Sequence, residues 1–465
     1  MTPLLTQSRL ALLLICVLGL PGCAGLAAWP TQERPSLDLP PSTAMAPLSI
    51  DRQWWQAFGD PDLDRLVEDA LANNLDLAKA AANIDEARAN AGVAKALLSP
   101  RVDALGKASA TKRQLSIGGT SEDLDKTTTT TAAGLGVSWE IDLWGRIRQS
   151  HEAALARLAA SEHTRNATVL SVSSAVVESY FQLLALDNKL RITRDAQRNL
   201  KTVSDLELRR WKAEVGTEFA YRQSLAELAS TEARLPDLEL AIAKTELALH
   251  ILAGRSPRRL SEPVARIAVM PTLPAVPGEF DTALLLRRPD VASAEQMLIA
   301  ANADVNAARA EQRPRLTLSL LAGLIASSSS AISGFPLYAD LSAGLTAPIY
   351  DAGLLQSKAE AAEARKAKAL AHYRYTVSLA FRDTYEAMIL RESSDRQYLS
   401  IQNEVDIRKK SLVLAEKSYE AGRTSKFEVL SEMIKVLNTQ LALTDARQNQ
   451  LLARSQFYKA LGGGF

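Results

Sequence analysis

In the middle of the chain, the spacing of apolar residues changes from a strand pattern to a helix pattern. Between Ala133 and Ile141 every odd-numbered residue is apolar, which indicates a strand with one apolar face. After Gly145 the apolar residues recur at helical spacing, and they do so for about seventy residues. The sequence therefore predicts a strand that leads directly into a very long helix.

The same landmarks occur twice along the chain. "LSPRVDAL" resembles "QRPRLTLSL", "IDLWGRIRQSHEAA" resembles "IYDAGLLQSKAEAA", and "AEVGTEF" resembles "YEAGRTS". A short "LAG" segment likewise resembles "LGG". The corresponding residues are, in order, Pro100 and Pro314, Gly145 and Gly353, Gly216 and Gly422, and Gly254 and Gly462. Four landmarks in one order at a nearly constant spacing indicate an internal duplication.

Each repeat predicts a helix, two strands joined by a polar loop, a very long helix, a glycine turn and a shorter helix. The first repeat is expected at 61–254, with helices over 62–98, 146–214 and 218–253. The second is expected at 284–465, with helices over 284–313, 352–420 and 425–460. A Pro-rich connector, 255–283, joins them. Each long helix would extend about 100 Å, and we predict that the two shorter helices of a repeat stack end to end beside it.

The four strands are those of a membrane β-barrel that several copies share. Leu316, Leu318 and Leu320 lie on one face of a predicted strand, with Thr317 and Ser319 on the other. Membrane barrels need about eight strands or more, and an open edge in lipid leaves backbone groups unpaired. We therefore predict a trimeric, twelve-stranded barrel that long helices continue as an α-helical barrel. The alternative, a soluble α+β protein, explains neither the element lengths nor the duplication.

The first 22 residues resemble an export signal. Arg9 is their only charged residue, and the apolar run from Leu10 to Leu20 is too short to span a bilayer. No unbroken run of eighteen apolar residues follows, so we predict no transmembrane helix. A buried N-terminal helix is the alternative, but such a helix would not need so uniform a face.

The "LPGC" segment that ends at Cys23 resembles the lipobox of bacterial lipoproteins. The resemblance implies that Cys23 becomes the lipidated N-terminus, and that residues 23–60 form a tether. Pro21 departs from the small or hydroxyl residue usual there, and ordinary cleavage near Ala24 is the alternative. Because Cys16 leaves with the signal, the mature chain could form no internal disulfide.

Charge and motifs exclude several functions. The chain has 54 basic and 53 acidic residues, and removal of the signal removes Arg9. The mature chain therefore has no net charge, and nothing favours nucleic-acid binding. No GxSxG, Walker A or HExxH pattern occurs, and the four histidines lack metal-ligand spacing. We therefore expect neither an enzyme nor a metal site, and no cofactor beyond the lipid on Cys23.

Several segments together resemble the outer-membrane channels of tripartite efflux pumps, the TolC and OprM family, and especially its NodT-like lipoprotein branch. They are "WWQAFGDPDLDRLVEDALANNLDLAKA", "WEIDLWGRIR", "LLLRRPDVASAE", "APIYDAG" and "YEAGRTSKFEVL". They are spread over nearly the whole mature chain, and they are specific only in combination. The resemblance implies a homotrimer that is anchored in outer-membrane lipid, crosses the periplasm, and serves a periplasmic adaptor and an inner-membrane pump. The connector would belong to its equatorial region.

The resemblance also implies a periplasmic tip at the two glycine turns. The residues expected to meet the adaptor there are Gly216, Thr217, Gly422, Arg423 and Thr424. Glycine suits such turns because it adopts positive φ at little cost. Arg423 and Thr424 are candidates to bond across the turns, but the sequence does not identify their partner.

Glu428 matches an acidic gate position of the family by its distance from the Gly422 turn. The family's second acidic site falls on Ser431 here, with Glu432 beside it, so the position of an acidic ring stays open. Three copies of Glu428 around an axis would repel one another and attract cations. Alternatively, Glu428 lies in the first turn of a helix simply because the positive end of the helix dipole favours it there.

Three further alternatives concern the whole protein. A protein-secretion system would use a similar exit duct with a different pump and adaptor. A pore-less scaffold lipoprotein would have no use for lipid-facing strands, and a periplasmic adaptor would have one helical hairpin instead of a duplication.

Trp139 and Trp144 are candidates for an interfacial aromatic belt, whereas Trp54 and Trp55 are expected to pack on the helical body. The exported substrate does not follow from the sequence.

Overall fold

The computed structural model describes residues 51–115, 124–256, 271–274, 282–328 and 336–464. The predicted signal, Cys23 and most of the tether lie outside the described residues. So do most of the connector and the central parts of the two polar loops between strands.

The described residues form eight α-helices and four strands, in the same order in both halves of the chain. The helices are α1 (Pro61–Asn73), α2 (Leu75–Ala96), α3 (Arg146–Lys212), α4 (Glu218–Glu232), α5 (Arg234–Leu252), α6 (Pro289–Glu311), α7 (Leu354–Glu420) and α8 (Lys426–Ala460). The strands are β1 (Arg101–Leu115), β2 (Leu124–Ile141), β3 (Arg315–Ser327) and β4 (Leu337–Thr346). Short 3₁₀ helices cover Trp54–Phe58 and Thr282–Arg287. The helices α3 and α7 have 67 residues each, so the predicted duplication is confirmed at the level of elements.

Two predicted helices of the first repeat are each divided in two. The helix expected over 62–98 breaks at Asn74, whose side-chain oxygen accepts hydrogen bonds from the backbone N–H groups of Asp76 (2.9 Å) and Leu77 (3.2 Å) and so caps α2. The helix expected over 218–253 breaks at Ala233. Pro236 explains this second break, because it has no N–H to bond to the carbonyl of Glu232.

In the first repeat the end of α5 meets the start of α2, so the predicted end-to-end stacking holds only for the α2 part of the helix expected over 62–98. The Asn74 side-chain nitrogen donates a 2.8 Å hydrogen bond to the carbonyl of Leu252, the last residue of α5. Gly254 then turns the chain away with a φ of +65°, and a Cβ there would lie 2.0 Å from the Asn73 carbonyl oxygen. Only glycine fits this junction, which we call the first joint.

The second repeat has an equivalent joint built with a different donor. Arg288 Nη1 donates a 2.8 Å hydrogen bond to the carbonyl of Ala460, the last residue of α8, and Gly462 follows with a φ of +89°. Burial of Arg288 tends to lower the pKa of its guanidinium, but the hydrogen bond and charge of Asp290, with those of Asp383, raise the pKa above its usual value. Arg288 therefore stays charged at this second joint.

The four strands form one antiparallel sheet in the order β1-β2-β3-β4. Its register separates apolar from polar side chains across all four strands. One row on the apolar face consists of Val102, Val137, Leu320 and Leu341. The neighbouring row on the opposite face consists of Arg101, Ser138, Ser319 and Ser342. The alternation expected from the sequence is therefore preserved through every strand pairing.

The chain forms two compact units that do not follow the two repeats. The first contains the sheet and the adjoining helical segments, within Ile84–Ala160 and Ala294–His372. The second contains the described residues within Leu37–Asn83, Ser161–Ser293 and Tyr373–Phe465. Each unit takes parts of both repeats, and in the first unit this follows from the pairing of β2 with β3.

An aromatic cluster forms the core of the second unit. Trp54 stacks on Tyr458 with ring centroids 5.6 Å apart, and Phe58 contacts Phe181 edge to face at 4.9 Å. Residues 54–58, which we had assigned to the tether, are therefore part of the folded body. The packing of Trp54 and Trp55 on that body is confirmed, because both side chains are buried.

The carboxylate of Asp60 lies beside this cluster and serves two elements. One oxygen accepts the backbone N–H groups at the start of α1, and the other accepts a 2.7 Å hydrogen bond from the Tyr180 hydroxyl of α3. Burial, and then the hydrogen bond to Asp60, raise the pKa of Tyr180 above its usual value. The phenol therefore stays protonated and fixes α1 against α3.

One helix, α3, contains a stretch apolar enough to cross a membrane, which differs from our prediction of none. However, 61% of that stretch is buried within the chain, as in the core helix of a soluble protein. Polar residues interrupt the stretch, so it does not appear as an unbroken apolar run in the sequence. We regard it as a core segment, because its residues Val176, Val177 and Phe181 are buried in the same hydrophobic core as Trp54 and Phe58.

Gly254→Ala should destabilise the protein more than Gly422→Ala. Both glycines have positive φ, which costs alanine about 1–2 kcal/mol. Only at Gly254 would the new methyl group also collide with a backbone carbonyl, which adds about 1–3 kcal/mol. Thermal melting followed by far-ultraviolet circular dichroism measures both effects, and equal melting temperatures for the two variants would contradict the steric role of the first joint.

Candidate functional site

The apolar face of the sheet is exposed along its whole width. In β4 the side chains of Leu337, Leu341 and Leu345 are 80%, 73% and 68% exposed, and Val102 in β1 and Leu135 in β2 are also exposed. A contiguous apolar face of this size is unfavourable in water. Its residues alternate with polar ones in the manner of membrane strands, so its natural contact is lipid.

The opposite face of the sheet is mostly polar, and β2 and β3 approach each other closely at its centre. Gly134 of β2 pairs with Gly323 of β3, and a Cβ on Gly134 would lie 2.8 Å from the Gly323 Cα. The two strands therefore approach more closely here than side chains would allow.

Tryptophans mark the end of the sheet where the chain enters the helices. The Trp139 indole donates to the Leu98 carbonyl (3.1 Å), and the Trp144 indole donates to the Pro314 carbonyl (2.8 Å). The guanidinium of Arg313 lies 5.4 Å from the centre of the Trp144 ring, which is a cation–π contact. Both indole N–H groups are thus satisfied, and the interfacial belt stays a prediction.

The strand-to-helix turns are built alike in the two repeats. In the first, Gly145 has a φ of +77° and the Asp142 carboxylate accepts the backbone N–H groups that begin α3. In the second, Gly353 has a φ of +84° and Asp351 caps the start of α7. An acidic side chain and a left-handed glycine therefore let a strand continue as a helix within a few residues.

At the opposite end of the long helices, the Gly422 turn has the expected form. Gly422 adopts a φ of +68°, and Arg423 N–H donates a 2.8 Å hydrogen bond to the Ser418 carbonyl. These are the features of a Schellman turn that ends α7. Ser425 then caps α8 through a hydrogen bond from Glu428 N–H.

The Gly216 turn differs from our expectation, because Glu214 and not Gly216 takes the left-handed conformation, with a φ of +59°. Gly216 is needed for close packing instead. A Cβ there would lie 2.9 Å from the Arg210 Cβ, and the N–H groups of Val215 and Gly216 both donate to the Arg210 carbonyl. Thr217 caps α4 by accepting a hydrogen bond from Ala220 N–H.

Each glycine turn joins two helices into a tip hairpin, α3–α4 in the first repeat and α7–α8 in the second. The sequence did not reveal the contact between these two tip hairpins. Arg210, near the end of α3, donates a hydrogen bond to the hydroxyl of Tyr419, near the end of α7. Lys426 of α8 lies over the same ring, with Nζ 4.7 Å from its centre. Thr424, which we had considered for this role, has a buried hydroxyl without a hydrogen-bond partner among the described residues. Tyr419 belongs to the landmark segment "YEAGRTS", but nothing local marks its distant partner.

The three predicted gate residues, Glu428, Ser431 and Glu432, lie on one side of α8, at positions i, i+3 and i+4 of the helix. Glu432 is compensated, because its carboxylate lies 2.7 Å from Lys435 Nζ and 3.9 Å from Arg408. Ser431 is half-buried and carries no charge. Glu428 is exposed and forms no ion pair within the described part of the chain. Of the three candidates, only Glu428 therefore presents an uncompensated negative charge.

No cluster of three or more His, Cys, Asp or Glu side chains suited to a metal ion occurs among the residues that the structure describes.

A four-stranded sheet with one lipid-facing side, repeated strand–helix turns and two 67-residue helices define an outer-membrane channel protein. The family model described as "Outer membrane efflux protein" matches residues 66–255 and 282–463. The chain belongs to this family, and it is an outer-membrane efflux protein.

Two relatives and one solved structure illustrate the similarity. The chain is 34% identical over 430 residues to the pyoverdine export outer membrane protein OpmQ of Pseudomonas putida, covering 91% of each chain. It is 29% identical over 457 residues to the probable outer membrane lipoprotein SilC of Salmonella typhimurium, covering 96% of each. The solved structure of CusC, studied for transmembrane channel formation, has a TM-score of 0.82 at 26% identity, covering 93% of this chain and 99% of its own.

Leu320→Arg should impair insertion into the outer membrane, whereas Ser319→Arg should not. The two residues are adjacent in β3 but lie on the apolar and polar faces respectively. An arginine facing lipid near the bilayer centre costs about 2–4 kcal/mol. The amount of membrane-inserted protein after fractionation measures the effect, and equal insertion of the two variants would contradict the assignment of faces.

Proposed function

We propose that three copies of this chain form a passive exit duct that crosses the outer membrane and continues through the periplasm. The observation that carries the proposal is the sheet itself, which has a lipid-facing side and two edge strands. Among the described residues, β1 and β4 are each paired on one side only. Open strand edges are unstable in lipid, so the sheet must close with other copies. Three copies supply twelve strands around a polar lumen.

The lipid anchor is the second part of the proposal. Cys23 becomes the acylated N-terminus, and the residues after it tether the lipid to the folded body, which begins at Trp54. The name of the SilC relative, which calls it an outer membrane lipoprotein, supports this assignment. The covalent lipid is the one attached group that we assign to the protein.

The partners are a periplasmic adaptor and an inner-membrane pump. The tip turns, with Gly216, Thr217, Gly422, Arg423 and Thr424, are the surface that we assign to the adaptor. The pump supplies energy and selects cargo, so the duct itself performs no chemistry. A pore-less scaffold is disfavoured because it would gain nothing from a lipid-facing sheet, and the efflux names of the relatives favour efflux over protein secretion.

Two groups at the tip control opening in this proposal. The hydrogen bond from Arg210 to Tyr419 holds the two hairpins of one copy together. The uncompensated Glu428 carboxylates of three copies face a narrow lumen, where they attract cations and repel one another. The opening at the tip would therefore be narrow and cation-selective until the adaptor separates the two hairpins.

Arg210→Ala and Glu428→Ala should each change single-channel currents in planar bilayers. Loss of the Arg210–Tyr419 contact should raise conductance several-fold, because the hairpins separate more easily. Loss of Glu428 should also enlarge the small currents, and it should reduce their preference for cations.

Arg222→Ala is the matched control for the first variant, since Arg222 is a nearby tip arginine that pairs only with Glu218 of its own helix among the ion pairs described. It should leave the conductance unchanged. Unchanged currents in both test variants would remove these residues from the gate. Absence of current from every protein, including the wild type, would argue for the scaffold alternative.

Cys23→Ser should abolish incorporation of a radiolabelled fatty acid in growing cells, while the protein still inserts through its strands. Labelling of the wild type and of a Cys16→Ser variant should be equal, because Cys16 belongs to the signal. Label that persists in Cys23→Ser would show that the lipid is attached elsewhere and would overturn the assignment.

A further inference from the structure

The internal duplication extends to the register of individual strand pairs. In the first repeat Arg101 of β1 pairs with Ser138 of β2. Their equivalents in the second repeat, Arg315 and Thr346, are also paired, between β3 and β4. The sequence correspondence set by the landmark residues therefore predicts which residues face each other in the sheet.

The pairing of β2 with β3 is the seam between the two repeats inside one chain. Along this seam Ile141 pairs with Leu316, and Gly134 pairs with Gly323. Every other repeat-to-repeat seam in a closed barrel must join β4 of one copy to β1 of the next. A barrel built from duplicated units has the same strand environment at both kinds of seam, apart from differences in side chains.

We propose that β4 of one copy pairs with β1 of a second copy in the register of this internal seam, so that Ile349 faces Val102 of the next copy and Ser342 faces its Ser109. These are the residues equivalent to the pairs Ile141–Leu316 and Gly134–Gly323. The inference rests on the proposed trimer and adds to it the residue contacts that close the barrel.

The side chains agree with this register. It places the apolar Leu341 opposite Ala110 of the next copy, and the polar Ser342 opposite Ser109. A slip by one residue would bring the apolar face of one copy next to the polar face of the other. The register therefore continues both faces of the sheet around the barrel.

The exposed end of β4 also agrees with it. Ile349 and Tyr350 are 94% and 90% exposed, although they lie only three and four residues beyond the end of the strand at Thr346. Their equivalents begin at Ile141, which is half-buried because it pairs with Leu316. A β1 strand from another copy would cover Ile349 in the same way and would extend β4 beyond Thr346.

The seam between copies lacks two attachments that the internal seam has. Trp144 bonds to the Pro314 carbonyl across the internal seam, but the residue equivalent to Trp144 is Ala352, which has no donor in its side chain. The ion pair of Arg157 with Asp304 has Arg365 and Asn90 as its equivalents, so one charge is missing. Strand pairing therefore contributes a larger share of the stability at the seam between copies.

Cysteine crosslinking can read this register directly. In the internal seam, Ser328 N–H donates to the Thr129 carbonyl, so odd-numbered residues of β2 form the hydrogen-bonded pairs. Gly134–Gly323 is then a non-hydrogen-bonded pair, and so is its proposed equivalent Ser342–Ser109. Such pairs have Cα atoms about 4.5 Å apart, which is within the range of a disulfide.

The test is mild oxidation of the double variant Ser109→Cys/Ser342→Cys in the outer membrane, followed by denaturing electrophoresis without reductant. Within one chain the two residues lie on opposite edge strands, at least about 14 Å apart by strand spacing alone. Ser342 is level with Arg101 and not with Ser109 in the sheet of one chain, so a disulfide can form only between copies. We expect most chains to run as covalent dimers and trimers that reductant converts to monomers, and each single variant to remain largely monomeric.

Two offset double variants, Lys107→Cys/Ser342→Cys and Thr111→Cys/Ser342→Cys, are the matched controls, and each should crosslink several-fold less. More efficient crosslinking in either one would overturn the register but keep the trimer. No crosslinking in any pair, with native mass spectrometry still showing three chains, would overturn the seam. A monomeric wild type in that spectrum would instead overturn the proposed function on which the seam rests.

Discussion

The whole helical arrangement depends on two joints at which short helices meet end to end. A helix end leaves carbonyl groups without partners, and their burial is costly unless a donor reaches them. The first joint meets this need with the amide of Asn74 on the Leu252 carbonyl, and the second with the guanidinium of Arg288 on the Ala460 carbonyl. Because the chain must then leave sideways, each joint also needs a left-handed glycine, at Gly254 and Gly462. The duplication thus retained the geometry and changed the chemistry of the donor.

The two joints differ in how firmly they hold their surroundings. Asn74 is neutral and bonds to the Leu252 carbonyl and to the start of α2, whereas Arg288 also forms ion pairs with Asp290 and Asp383. A buried charge that lost one of these partners would be costly, so the second joint is more sensitive to substitution of its neighbours. The same divergence between repeats occurs at the sheet, where Trp144 reinforces the internal seam and Ala352 takes its place in the second repeat. Equivalent elements of the two repeats therefore have the same backbone geometry but are stabilised by different side chains.

The sequence predicted those features that depend on periodicity and repetition. Strand alternation, the two long helices, the glycine landmarks and the end-to-end stacking follow from local patterns and from the comparison of one repeat with the other. It failed where a distant contact decides the structure. The helical pattern is interrupted at Asn74, whose side chain bonds to the distant Leu252 carbonyl. Trp54 and its neighbours pack against Tyr458 and Phe181, so they belong to the core and not to the tether. At the first tip turn the glycine pattern was also misleading, because Glu214 is left-handed while Gly216 packs closely against Arg210.

At the tip, too, local pattern alone does not decide the outcome. Two glutamates with similar positions in the sequence, Glu428 and Glu432, differ in their charged partners. Glu428 and Glu432 are one helical turn apart, so periodicity places them on the same side of α8. Glu432 faces Arg408 of α7 and Lys435, and its charge is balanced inside one chain. Glu428 lies in the first turn, where the helix dipole favours a carboxylate, and it is exposed. These two explanations of Glu428 are compatible, because the negative charge that favours its position in the first turn of the helix is also the charge that three copies would present to a shared lumen.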